Sequence, residues 1–103
     1  MSELQNKAVA LVAQGEGDIA SQASSHRSAI FLDKALDLYF ALGGDEATAL
    51  AMASEKHAAS RLRVDSAVAN VMIELAVASH LNDLDMVQAT YNRLDAELVA
   101  RHG

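Results

Sequence analysis

The stretch FLDKALDLYFALGGD, residues 31–45, combines a helical repeat of apolar residues with a clear stop. Its leucine, tyrosine and phenylalanine residues recur at the spacing of an amphipathic α-helix, and the Gly-Gly pair supplies the residue type that ends one. Asp45 is placed to cap the helix that follows. Two aspartates, Asp33 and Asp37, lie one turn apart, so the helix carries either a metal-binding carboxylate pair or two solvated acids.

Composition supports a helical chain throughout. The 103 residues include no proline and only five glycines, and 51% of them are hydrophobic. This length predicts one helical domain, residues 1–103, with a modest core. A formal net charge of −6 argues against DNA or RNA as a partner, because phosphate binding depends on clustered Lys and Arg. We also expect no membrane partner and a cytoplasmic location, since no run of residues resembles a signal peptide or approaches a membrane span.

Hydrophobic periodicity divides the chain into a short N-terminal helix, residues 2–14, and a four-helix core, residues 25–101. Ser2 is the expected N-cap of the first helix, whose apolar positions are Leu4, Ala8, Leu11 and Val12. The first three core helices are predicted over residues 25–42, 46–60 and 66–81. The fourth follows a turn at residues 82–85. Short connections make sequential helices antiparallel, so the expected fold is an antiparallel four-helix bundle. The two turns also suggest a repeated αα-hairpin, although few residues match between the halves.

Two of the predicted helices each carry one narrow polar stripe. Asp33 and Asp37 form the first stripe, and Ser66, Asn70 and Glu74 repeat every four residues to form the second. If the stripes face each other, three carboxylates and the Asn70 amide supply the oxygen ligands that Mg²⁺ prefers. The same spacing also fits two faces turned to water, because most carboxylates in proteins are exposed.

Other polar residues give weaker indications. Arg61 and Arg63 precede the central helix, where they would contact phosphates at the mouth of a site or form a solvated linker. His26 and His57 lack the His-x-x-Lys-Gly context of phosphotransfer domains, and no two histidines show the i,i+4 spacing of a helical zinc site. We therefore interpret the histidines as surface residues.

Residues 31–44 resemble the first signature helix of the MazG-like all-α nucleotide pyrophosphohydrolases, whose pattern is roughly Leu-x-Glu-Glu-x-x-Glu-Leu-x-x-Ala. Apart from the first spacer, the matching residues are Leu32, Asp33, Lys34, Asp37, Leu38 and Ala41. The stretch AVANVMIELAVASHLNDLDM, residues 67–86, is similar to the second signature helix of that family and the turn after it.

This resemblance implies Mg²⁺-dependent hydrolysis of a nucleoside triphosphate to a monophosphate and pyrophosphate. It also implies a homodimer or homotetramer that completes the helical bundle and binds nucleotide near its interface. The surviving metal ligands would be Asp33 and Asp37, helped by Asn70 and by Glu74, where the family pattern requires no acid. The expected substrate-binding residues are Lys34, Arg61 and Arg63. Lys34 and Asn70 occupy positions where the family has acids, so the expected activity is weakened or lost.

The main alternative is a non-catalytic helical dimer that acts as a protein-interaction module. Such a protein would keep the helical scaffold without the metal site. A phosphotransfer or TPR-like adaptor is a further alternative, based only on the number of helices and the two similar turns.

Overall fold

The computed structural model describes residues 2–102, with side chains for residues 2–99. Over that range it contains five α-helices and one 3-10 turn, Ile19–Ser21, and no strand. The helices are α1 Glu3–Glu16, α2 Ser24–Ala41, α3 Glu46–Ala58, α4 Val64–Leu81 and α5 Met86–His102. The predicted all-α class is confirmed.

Local sequence signals determine where these helices begin and end. The Ser2 side chain accepts a hydrogen bond from the Gln5 N–H at 3.1 Å, as expected for the N-cap of α1. Gly17, with φ of 85°, follows the last residue of that helix. The predicted bounds of the first four helices agree with the observed ones to within two residues.

The chain contains two compact units, and each is described by itself. The terminal unit comprises residues 1–20 and 63–103, and therefore contains α1, α4 and α5. The hairpin unit comprises residues 21–62 and contains α2 and α3. Their boundaries in sequence fall within the 3-10 turn, after residue 20, and in the connection between α3 and α4, after residue 62.

In the terminal unit, α5 packs along α1 and meets α4 beside the turn that joins them. Leu94 of α5 is the only buried apolar side chain among the described residues. Lys7 of α1 forms an ion pair with Asp95 at 3.1 Å and lies 5.1 Å from the centre of the Tyr91 ring. The half-buried side of α1 includes the predicted apolar positions, Leu4, Ala8, Leu11 and Val12.

In the hairpin unit, a tight turn joins α2 to α3. Gly43 adopts a left-handed φ of 94°, and the Gly44 N–H donates to the Tyr39 carbonyl at 3.0 Å. Asp45 then caps α3 by accepting from the Thr48 N–H at 3.0 Å. Hydrogen bonds from the Thr48 side chain and backbone lower the pKa of the Asp45 carboxyl. The Tyr39 hydroxyl donates to the Asp45 carbonyl at 2.9 Å, and its ring leaves no room for a Cβ at Gly44.

The turn between α4 and α5 repeats this geometry. Asp83 adopts a left-handed φ of 55°, and the Leu84 N–H donates to the Ser79 carbonyl at 2.9 Å. Asp85 accepts from the Gln88 N–H at 2.9 Å, as Asp45 does in the first turn. Helices α2 and α4 have the same length, and the interval from the start of α2 to that of α3 equals the interval from α4 to α5. The two helix–turn–helix segments therefore share the length of their first helix and the hydrogen bonds of their turns.

Substitutions at the two left-handed positions, Gly43 and Asp83, should change the free energy of unfolding in opposite directions. Gly43→Ala should lower the free energy of unfolding by about 1 kcal/mol, because an L-residue is strained at this φ. Asp83→Gly should raise it, by up to about 1 kcal/mol, because glycine removes the same strain. A Cβ at Gly43 would meet no atom within 4 Å, so the loss of stability in Gly43→Ala would come from backbone strain alone. Urea unfolding of both variants measures the free energy of unfolding. A Gly43→Ala variant as stable as the wild type would contradict the left-handed conformation of Gly43.

Helix α4 is the most apolar of the five helices. Its 18 residues have a mean hydropathy of 1.3, so length and composition alone would allow it to cross a membrane. The core helix of a soluble protein passes the same test. The predictions of no membrane partner and of a cytoplasmic location stay predictions.

Candidate functional site

The first polar stripe lies on α2, in the hairpin unit. Asp33 and Asp37 are one helical turn apart and both are exposed. The Lys34 ammonium lies 3.3 Å from the Asp33 carboxylate, and both side chains are more than two-thirds exposed. Such a surface pair contributes little free energy, so the carboxylate can exchange Lys34 for another cation. The two acids are thus accessible oxygen donors on one face of α2.

The second polar stripe lies on α4, in the terminal unit. Asn70 and Glu74 are exposed and are one turn apart. The half-buried residues of this helix, which include Leu75 and Ala78, lie on a different face. At the start of the stripe, the Ser66 backbone N–H donates to the Asp65 carboxylate at 2.8 Å. Asn70 and Glu74 are therefore the members of this stripe that can offer carboxylate or amide oxygens to a ligand.

The chemistry of these side chains fits a hard cation. Carboxylate and amide oxygens are the ligands that Mg²⁺ takes from proteins. Among the described residues, however, no group of three or more acidic or histidine side chains is arranged to hold a metal ion. The structure therefore shows two exposed oxygen-donor pairs, one in each unit.

The two arginines assigned to substrate binding have protein partners. The Arg61 guanidinium donates to the carbonyl oxygens of His57 at 2.9 Å and Ala59 at 3.0 Å, and it approaches that of Lys56 at 3.4 Å. These carbonyls lie at the C-terminal end of α3, so Arg61 caps that helix. Its guanidinium also lies 3.4 Å from the His57 Nδ1.

Arg63 has a different partner at the start of α4. Its guanidinium makes two hydrogen bonds to the Asp65 carboxylate, at 3.2 and 3.1 Å. Both groups are exposed, so water and ligands can reach them. A phosphate would therefore compete with Asp65 for Arg63, whereas it would have to displace Arg61 from three backbone carbonyls.

Sequence reasoning missed two side chains that organise the units. Lys7 joins α1 to α5, and the hydrogen bond to Asp95 raises the pKa of its ammonium. Tyr39 closes the α2–α3 turn. A signal for Tyr39 exists, because an aromatic residue one helical turn before a Gly-Gly pair can reach across the turn. No comparable signal identifies Lys7, whose partner Asp95 belongs to the last helix of the chain.

The described geometry thus consists of an acid pair on α2, an Asn–Glu pair on α4, and two arginines near the connection between α3 and α4. Each group is accessible, and Lys34 already accompanies the acid pair. No family model matches this chain, and no curated protein or solved structure matches it either.

Proposed function

We propose that this chain is a MazG-like nucleotide-binding protein that holds Mg²⁺ through Asp33 and Asp37. The observation that carries the proposal is the exposure of both acids on one face of α2, within the stretch that resembles the first signature helix of the family. Accessible carboxylates one turn apart can share a cation with bound phosphates. Asn70 and Glu74 would add oxygen ligands from α4, and Lys34, Arg61 and Arg63 would contact phosphate.

The reaction that fits these proposed metal-binding and phosphate-binding residues is hydrolysis of a nucleoside triphosphate to a monophosphate and pyrophosphate. Bound Mg²⁺ would neutralise phosphate charge and polarise the bond that is cleaved. Lys34 and Asn70 replace acids of the family pattern, so the site offers less negative charge to a cation. We therefore expect nucleotide binding with weak hydrolysis, or binding without turnover.

The proposal includes a homodimer or homotetramer with a helical bundle completed between chains. Many large apolar side chains on α2 and α4 are exposed, including Phe31, Leu32, Ile73 and Leu81. Surfaces of this kind are covered in most soluble proteins. We expect the assembly to be cytoplasmic, and the net charge of −6 on each chain argues against a DNA or RNA partner.

A non-catalytic interaction module is the second candidate, and two observations favour it. Lys34 stands at an acidic position of the family pattern and pairs with Asp33. The helix–turn–helix segment also repeats in the length of its first helix and in its turn hydrogen bonds, and repeated helix pairs are a common scaffold for binding protein partners. This candidate predicts a stable oligomer that is indifferent to Mg²⁺ and EDTA.

Pyrophosphate release and thermal unfolding separate the two candidates. The full chain is incubated with a panel of ribonucleoside and deoxyribonucleoside triphosphates, with Mg²⁺ or with EDTA. The nucleotide proposal predicts a rise in the unfolding temperature with at least one nucleotide, and only when Mg²⁺ is present. No thermal shift and no pyrophosphate across the panel would exclude it and leave the interaction module.

A further inference from the structure

Phe40 is an aromatic side chain on the acidic face of α2. Asp33, Asp37 and Phe40 follow one another at intervals of four and three residues, which places them on one side of the helix. All three residues are exposed, and Phe40 is 47% exposed. The face that we propose to hold metal and phosphate therefore also offers an accessible aromatic ring.

The Phe40 ring lies within reach of a nucleotide whose phosphates are held at the acids. With a rise of 1.5 Å per residue, Phe40 is about 7.5 Å further along the helix axis than the midpoint of Asp33 and Asp37. Side chains of a helix lean toward its N-terminus, so the Phe40 Cα–Cβ bond tilts back toward the acids. The ribose of a nucleotide spans the remaining distance, which brings the base to the Phe40 ring.

A neighbouring aromatic ring contacts Phe40 without covering both of its faces. The Tyr39 and Phe40 rings meet edge to face, with centroids 5.2 Å apart and an interplanar angle of 72°. Tyr39 is itself fixed, because its hydroxyl donates to the Asp45 carbonyl and its ring fills the space beside Gly44. An edge-to-face contact involves at most one face of the Phe40 ring. Tyr39 therefore leaves at least one face of this ring for a planar ligand.

The surroundings of Phe40 favour recognition of a base by stacking alone. One turn from Phe40 along the chain are Leu36 and Asp37 before it, and Gly43 and Gly44 after it. Leu36 and the two glycines have no polar side-chain atom, and Asp37 belongs to the proposed metal site. Every base has a π-face, so stacking on an aromatic ring tolerates any base. Such a site would bind purine and pyrimidine nucleotides alike.

We propose that Phe40 binds the base of the nucleotide by stacking, without preference for one base. Metal at Asp33 and Asp37 would hold the phosphates, and the uncovered face of the Phe40 ring would contact the base. The inference deepens the proposed function and rests on it, because it places the base relative to phosphates held at these acids.

Phe31 provides the matched control for Phe40. The chain contains two phenylalanines, both on α2, and Phe31 is 58% exposed. They are nine residues apart, which is two and a half turns, so they lie on opposite sides of the helix. Leucine at either position keeps an apolar side chain and removes the ring. Only Phe40→Leu should therefore weaken nucleotide binding.

Isothermal titration calorimetry of the full chain with Mg²⁺ measures this effect. The ligands are ATP, CTP and inorganic tripolyphosphate, which has no base. Phe40→Leu should raise the Kd of both nucleotides at least about 5-fold and leave the Kd of tripolyphosphate unchanged. Phe31→Leu should leave all three Kd values unchanged.

The same titrations distinguish a failure of this inference from a failure of the proposed function. Unchanged nucleotide binding in Phe40→Leu would overturn base stacking alone, as would an equal loss in both variants or an equal loss of tripolyphosphate binding. Binding of one nucleotide without the other would overturn the tolerance for any base. A wild type that binds none of the three ligands would overturn the proposed function and this inference with it.

Phe40→Trp gives a direct readout of stacking. The chain has no tryptophan, so this variant contains a single indole, which is itself a stacking platform and should retain nucleotide binding. Its fluorescence should fall with ATP and Mg²⁺, because a stacked base quenches the indole, and should stay constant with tripolyphosphate. Phe31→Trp should respond to neither ligand. Equal quenching in the two variants, or ATP binding without quenching in Phe40→Trp, would contradict the proposal.

Discussion

Replacing Leu94 by alanine should lower the free energy of unfolding by about 2–3 kcal/mol. Leu94 is 6% exposed and is the only buried apolar side chain among the described residues, at the place where α5 packs along α1. Its truncation removes apolar contacts and leaves a cavity. We expect a value in the lower half of the range for buried leucines, because a thin helical layer can relax around the gap. Chemical denaturation monitored by circular dichroism measures the change.

Leu84→Ala is the matched control for this loss. It removes the same atoms from the same unit, but Leu84 lies in the turn between α4 and α5 and is 58% exposed. The control should change the free energy of unfolding by less than about 0.5 kcal/mol. Equal losses in the two variants would mean that the α1–α5 packing does not stabilise the terminal unit, and would contradict the fold described here.

Asp37→Asn should abolish the effect of Mg²⁺ on nucleotide binding. The substitution keeps the shape of the side chain but removes the charge that attracts the cation. A site that offers only two carboxylates, with few other acids near them, loses its affinity for a divalent ion when one carboxylate is removed. The thermal shift caused by nucleotide and Mg²⁺ should therefore disappear, together with any pyrophosphate release, while the unfolding temperature without ligand should stay within a few degrees.

Glu55→Gln provides the control for net charge. Glu55 is an exposed acid on α3 in the same unit, so its replacement changes the charge of the hairpin unit equally. This variant should retain the ligand-dependent shift. If both variants lose the shift, general electrostatic attraction explains it, and a specific role for Asp37 is excluded.

The helices and turns were predictable because their causes are local. Ser2, the Gly-Gly pair and Asp45 act on residues within a few positions, and the structure places them as N-cap, left-handed turn and N-cap. The apolar side of α1 was also predictable, since periodicity alone defines which residues share a face. These features need no knowledge of distant parts of the chain.

The hairpin repeat could not be established from sequence. At the repeated left-handed position the chain has glycine in one turn and Asp83 in the other. Both meet the same backbone requirement, because glycine has no Cβ and aspartate tolerates this region. Apart from the matching caps of Asp45 and Asp85, the repeated hydrogen bonds join backbone atoms, and every residue except proline provides both donor and acceptor. A repeat of this kind leaves few matching side chains.

The candidate site was predictable only in part. The placement of Asp33 and Asp37 on one helical face follows from their spacing, and their exposure agrees with it. The capping role of Arg61 could not be foreseen, because its acceptors are carbonyl oxygens that a sequence does not reveal. Whether Asn70 and Glu74 join the acids depends on tertiary arrangement, which spacing within one helix does not determine. The metal site therefore stays a proposal.

A crystal of the full chain soaked with Mn²⁺ and a non-hydrolysable nucleoside triphosphate shows whether Asp33 and Asp37 hold a metal beside the nucleotide. Mn²⁺ takes the same oxygen ligands as Mg²⁺, and its anomalous scattering locates it. We expect a metal bound to the Asp33 and Asp37 carboxylates and to the phosphates, with Asn70 or Glu74 completing its ligands. Nucleotide bound elsewhere, or no anomalous peak beside these aspartates at millimolar Mn²⁺, would contradict it.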